Sequence, residues 1–180
     1  MKKVHWSIWV ILGIGALYLS LALVLLVFDP SYYDPQSPVD YLTIALYSAA
    51  LLALPAGLAG LISLQKIGHP RPLELFGFSL TFIGAVMAAT GNFAGAWLRD
   101  SFADLWMYLP GMLLILVGLA LFGIGLFRSR LLPVRYSWLL TATPFVGFFL
   151  GGLFSNGWGT LLFALIWIVM GSAPPPASAD

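Results

Sequence analysis

Side chains able to move a proton, hold a metal or attack a bond are few in this chain, and they lie far apart. His5 and His69 are the only histidines, and there is no cysteine. Two distant imidazoles without a carboxylate cluster do not make a metal site, and the missing thiols remove disulfides, thiolate nucleophiles and cysteine-ligated metals together. The segment KIGHPRPLE gathers Lys66, His69, Arg71 and Glu74 in what reads as a short polar loop, but the spacing matches no motif with a known mechanism. Asp100 and Asp104 fall on one helical face, which solvation explains as well as chemistry does. Nucleophile motifs, phosphate-cradling glycine loops and haem-ligating histidine pairs are missing from the sequence. No catalytic residue, cofactor or metal is therefore expected.

What remains is a set of uncharged polar and aromatic residues in or beside apolar stretches: Asn92, Tyr47, Thr90, Thr143 and Trp106. Isolating a carboxamide in hydrocarbon costs roughly 2 to 7 kcal/mol, so Asn92 requires a partner, either another helix or a bound molecule. Asn92 precedes Trp97 by five residues, which puts it about 7 Å below that end of its helix at 1.5 Å per residue. Tyr47 lies two turns from Pro55 in its own stretch. Pro55 and Pro144 supply no N–H to the carbonyls of Leu51 and Leu140, so both helices are expected to kink. Any ligand site is expected where these groups converge, in the half of the molecule nearer Trp97, in the general form of a few polar groups in an apolar setting.

The elements that must position these groups follow from composition. Hydrophobic residues make up 61% of the 180 and charged residues only 8%, with a mean hydropathy of +0.97. Soluble domains carry about 25% charged residues, so the chain reads as all-α, a polytopic integral membrane protein. Six transmembrane helices are predicted at about 7–28, 42–65, 75–97, 111–127, 136–154 and 156–171, forming one domain over 1–171. The first apolar run exceeds the 7 to 15 residues of a cleavable signal core and is read as a retained helix. A short interfacial helix is expected near 101–109: Phe102, Leu105, Trp106 and Leu109 repeat at helical spacing, Ser101 and Asp104 form a capping-box variant, and Pro110 ends it. The tail 172–180, SAPPPASAD after Gly171, reads as disordered.

Small residues carry the packing signal. Lipid tails are as apolar as leucine, so helices in a bilayer gain by close backbone approach rather than by hiding apolar surface. The third helix has Gly84, Ala88 and Ala96 on one ridge, Gly77, Ala85 and Ala89 on another, and Gly91 with Gly95 as a GxxxG pair, which predicts a helix packed on several sides. On the second helix Ala45, Ala49, Ala53 and Gly57 form an i, i+4 ridge, again predicting a helix contact. Six of the seven tryptophans fall near span ends, as interfacial anchors do; Trp167 is the deep one.

The six-span arrangement places Lys2, Lys3, Lys66, Arg71, Arg128, Arg130 and Arg135 on one side and leaves Arg99 opposite. By the positive-inside rule both termini are expected in the cytoplasm, with the chain multi-pass in an inner (plasma) membrane. Arg128, Arg130 and Arg135 are expected to attract anionic lipid. The basic residues form no nucleic-acid footprint, so the expected partners are the bilayer and another membrane protein. No predicted span contains an ionisable residue, which argues against a proton-coupled transporter. A non-enzymatic accessory or assembly subunit is the reading that remains. The other is a small-molecule-binding subunit: six spans in 180 residues with cytoplasmic termini is similar in outline to the substrate-binding components of vitamin transporters driven by a shared energy-coupling module.

Overall fold

The computed structural model describes residues 3–28, 30, 35–64, 71–98, 102, 104–129, 134–149 and 157–172. Among these are six helices: α1 (Lys3–Phe28), α2 (Pro38–Leu64), α3 (Pro72–Trp97), α4 (Leu109–Ser129), α5 (Val134–Phe149) and α6 (Gly157–Ser172). The protein is all-helical over the described residues. α1, α2, α3 and the helix ending in α4 are long and apolar enough to cross a membrane, and α6 is a shorter apolar helix. Arg130, His69, the Ser101 cap and the tail from 173 onward lie outside the described residues, as does the side chain of Pro144.

Helix starts have local causes. At α2, Ser37 Oγ accepts the Asp40 N–H at 3.2 Å, while Asp40 Oδ2 accepts the backbone N–H groups of Ser37 at 2.8 Å and Gln36 at 2.9 Å. This reciprocal box satisfies donors that a helix end otherwise leaves open, and Pro38 occupies the first helical position, where its missing N–H costs nothing. Pro72 plays the same part at α3, after an extended Arg71.

Each helix runs antiparallel to the one before it. Ser7 meets Ser63 and Tyr18 meets Ala50 between α1 and α2. Tyr41 lies against Trp97 between α2 and α3. Phe127 lies against Trp138 between α4 and α5, and Gly171 and Gly157 reach opposite ends of α1 at Leu12 and Leu26. Arg71, Arg128, Arg135 and Ser172 therefore share one end with Ser7. Asp40, Trp97, Tyr108 and Gly157 share the other.

The closest approach joins α3 to α4. A Cβ built on Gly84 would lie 2.6 Å from the Gly111 carbonyl oxygen, and one on Gly111 would lie 2.5 Å from the Ala88 nitrogen. Gly77 and Gly118 face each other in the same way, each 2.7 Å from the other's carbonyl oxygen when given a Cβ. Real Cβ atoms do not come this near to backbone, so these four positions admit only glycine without a shift. The α3 positions are 74, 77, 81, 84 and 88 and those of α4 are 111, 115, 118, 122 and 125, alternating steps of three and four. That alternation averages about 3.5 residues and keeps one stripe facing its partner along the helix.

The same geometry corrects two expectations. On α2 the i, i+4 line is only in part a contact between helices of this chain: Ala45 and Ala49 are exposed, Ala53 is half-buried, and Gly57 meets Ile14 of α1 and Trp167 of α6. Steps of four advance about 40° around a helix each time, so a line of such steps spirals off any straight interface. α3, in turn, packs between α2 and α4 but presents Phe76, Phe82, Ile83, Val86 and Phe93 outward. It is not surrounded; among the four long helices α2 is the most enclosed.

A separate helix ended by Pro110 is not what the structure has. Asp104–Tyr108 is a π turn that runs directly into α4. A widened turn ahead of Pro110 accommodates a residue that offers no N–H and whose ring crowds the carbonyl four residues back.

Equal substitutions should therefore have opposite signs. Gly13 has nothing within 4 Å of a built Cβ, so Gly13→Ala should be neutral or stabilise by up to about 1 kcal/mol through helix propensity. Gly84→Ala and Gly111→Ala should destabilise by about 1 to 3 kcal/mol through overpacking. Unfolding in detergent measures both, and equal effects at the three positions would contradict the seam.

Candidate functional site

Ile44, Tyr47 and Ser48 occupy i, i+3 and i+4 on α2, so one face of that helix carries a carbonyl and two hydroxyls at one depth. Asn92 of α3 meets this face. Its Nδ2 donates to Ser48 Oγ at 2.9 Å and to the Ile44 carbonyl at 3.3 Å. Tyr47 and Tyr108 share a hydroxyl–hydroxyl hydrogen bond of 2.8 Å, their rings tilted by 48° with centroids 6.3 Å apart. Tyr47 is 2% exposed and Asn92 9%. Hydroxyls and a carboxamide can orient one another or a ligand, but this cluster holds no carboxylate, imidazole or amine for general acid–base work.

The other three residues singled out from sequence stand apart. Thr90 is exposed. Trp106 is exposed, its ring 6.0 Å from that of Phe102 on the outside of the π turn. Thr143 is buried on α5 and donates to its own helix, Oγ1 to the Leu139 carbonyl at 2.7 Å. Among the described residues α5 packs on α4 and touches α6, not α2 or α3. Asn92 and Tyr47 are thus brought to one depth, and Thr90, Trp106 and Thr143 are not brought to them.

Several polar residues escaped the sequence reading. Ser48, the partner of Asn92, carried no individual signal, and Tyr108, the partner of Tyr47, carried only that of an aromatic beside Trp106 at headgroup depth. Glu74, read as a loop residue, is in the first turn of α3 and fully buried. It sits at the start of the α3 stripe that faces α4, where a Cβ on Gly125 would come within 2.6 Å of Glu74 Cγ. Gly125 leaves the room this side chain occupies. The three-and-four spacing from Glu74 through Gly77, Thr81, Gly84 and Ala88 was the available signal. Beside it, Arg71 Nη1 donates to the Arg128 carbonyl at 2.9 Å, tying the start of α3 to the last turn of α4. A cation at a helix C-terminus is favourable in itself.

Two further groups are buried without a hydrogen-bond partner: the Ser137 hydroxyl and the Trp167 indole N–H. Trp167 lies between α1, α2 and α6, its ring 2.5 Å from where a Gly57 Cβ would be and 6.2 Å, edge-on, from Phe163. Tyr18 closes the same stack, edge-on to Phe163 at 4.6 Å and donating to the Ala50 carbonyl at 3.1 Å. Ser137 lines a cleft of about 130 Å³ between α4 and α5, together with Ile124, Phe127, Trp138 and Thr141.

Comparison with known protein families, with curated proteins and with solved structures finds no match for this chain.

The Asn92–Ser48 bond predicts a coupling. In a double-mutant cycle, Asn92→Ala and Ser48→Ala should be non-additive by about 0.6 to 1.7 kcal/mol, the range of interhelical hydrogen bonds in membranes. Additive losses would show that the two side chains act separately.

Proposed function

We propose that this protein is a six-span component of a bacterial-type inner membrane, with both termini cytoplasmic, that serves as a non-enzymatic accessory or assembly subunit held against a transmembrane helix of another protein. The observation that carries this reading is the outward face of α2. Leu42, Ala45, Ala49, Leu52 and Ala56 are all exposed and repeat in steps of three and four, the spacing by which α3 and α4 pack on each other. Small residues at that spacing let a second helix approach closely, and no helix of this chain fills the place among the described residues. The interior polar groups support the same reading: Asn92 and Tyr47 are engaged by Ser48, Ile44 and Tyr108.

The orientation draws support from the shared end of Arg71, Arg128 and Arg135 and the positive-inside rule. α5 and α6 complete the count of six, and Phe102, Trp106 and Leu109, exposed around the π turn, suit the headgroup region on the opposite side.

Two measurements test the proposal. Because the chain has no cysteine, one introduced at Gln36 should react with an impermeant thiol reagent in intact cells, and one at Ser172 should not; the reverse pattern would overturn the orientation. Ala49→Trp should leave unfolding within about 0.5 kcal/mol of the parent, as exposed substitutions do, while removing a stoichiometric partner that co-purifies from native membranes. Unchanged co-purification would remove α2 as the docking face, and cross-linking of Ala49→Cys to a second copy would replace the foreign partner with self-association.

A further inference from the structure

The cleft between α4 and α5 is apolar except for two hydroxyls. It is lined by Ile124, Phe127, Ser137, Trp138 and Thr141, and Phe127 and Trp138, 5.8 Å apart and edge-on, are both exposed on its flank. It therefore opens sideways, towards the surface that faces lipid in a membrane. Ser137 is only 1% exposed, yet its hydroxyl has no hydrogen-bond partner. Leaving such a group unsatisfied costs about 1 to 3 kcal/mol.

Two exposed arginines lie nearer the helix ends than the cleft residues. Arg128 follows Ile124 by four residues and Arg135 precedes Trp138 by three, so each shares a helix face with a cleft residue one turn, about 5.4 Å, further in. Arg135 also lies over the Tyr136 ring at 5.6 Å. Read from the helix ends inward, the order is two cations, then the buried hydroxyl of Ser137, then apolar walls around Ile124 and Thr141. A phospholipid has the same order of groups: an anionic phosphate, an ester carbonyl that accepts a hydrogen bond, and an acyl chain.

We infer that this cleft is a binding site for one anionic phospholipid. Arg128 and Arg135 hold the phosphate, Ser137 donates to the ester carbonyl, and the start of one acyl chain lies between α4 and α5. The inference rests on the membrane setting proposed above but not on the α2 docking face, and its test uses purified protein, so the two fail separately.

The test is a titration in mild detergent with phosphatidylglycerol, with phosphatidylcholine of the same chains and with inorganic phosphate, read by the thermal unfolding midpoint and by lipid retained in native mass spectrometry. The expected result is a rise in midpoint with phosphatidylglycerol at an apparent affinity on the order of tenfold or more above phosphatidylcholine, and no rise with phosphate alone. Ile124→Trp, which fills the cleft, should abolish the lipid-dependent rise. Arg128→Gln with Arg135→Gln should bring the two lipids to within about twofold of each other, the two charges accounting for the preference. These two arginines are exposed, so their variant decides the matter even where Ile124→Trp does not fold. Equal responses to the two lipids in the parent protein, a rise produced by inorganic phosphate, or an intact preference in either variant would overturn the site.

Discussion

Backbone contact between α3 and α4 at Gly77, Gly84, Gly111 and Gly118 is the constraint on which the rest of the molecule depends. In a bilayer the driving force that packs soluble cores is weak, because apolar side chains lose little by facing lipid. What remains is dispersion between atoms brought close together, small for each pair and large in sum. The four glycines bring two backbones within reach of each other over about two turns. Once that register is set, Glu74 must lie opposite Gly125, and the chain entering α4 must pass beside α2, where Tyr108 reaches Tyr47.

The polar groups obey the same economy. Water cannot satisfy them in hydrocarbon, so each buried group finds a partner within the protein or marks a place where something else belongs. Tyr18, Tyr47, Thr81, Asn92 and Thr143 fall in the first class, through carbonyls of their own or neighbouring helices or through another side chain. Ser137 falls in the second, and its hydroxyl in the cleft between α4 and α5 is the group on which the proposed phospholipid site rests. Trp167 is also without a hydrogen-bond partner, but it is enclosed by packed rings, and nothing in the structure explains its indole N–H.

Much of this was legible in the sequence because the signals were local. Uninterrupted apolar runs bounded by proline and aspartate marked the helices to within a few residues, and six tryptophans at span ends are exposed while Trp167 is buried. The depth shared by Asn92 and Tyr47 also followed from counting residues. What failed was inference about which face meets which neighbour. The Ala45–Ala49–Ala53–Gly57 line has the spacing of an internal contact, but its steps of four turn it around the helix, so that Gly57 faces α1 and α6 while Ala45 and Ala49 face outward; Glu74 has the charge of a loop residue but the spacing of the α3 stripe. Pro110 was read as a stop, although a π turn can absorb it. The partners Ser48 and Tyr108 depend on long-range register, which no single stretch encodes.

The register of the α3–α4 seam is the claim that everything above requires, and a disulfide measures it directly. A Cβ on Gly125 would lie 2.6 Å from Glu74 Cγ and 3.4 Å from Glu74 Cα, so a cysteine pair that replaces both residues falls within the short Cβ separation that a disulfide needs. With Glu74→Cys and Gly125→Cys in one chain, mild oxidation of native membrane vesicles should give an intramolecular disulfide in most molecules, seen as a reducible shift in electrophoretic mobility. The same pair remaining reactive towards maleimide after oxidation, with no shift, would contradict the seam and the placement of every group that depends on it.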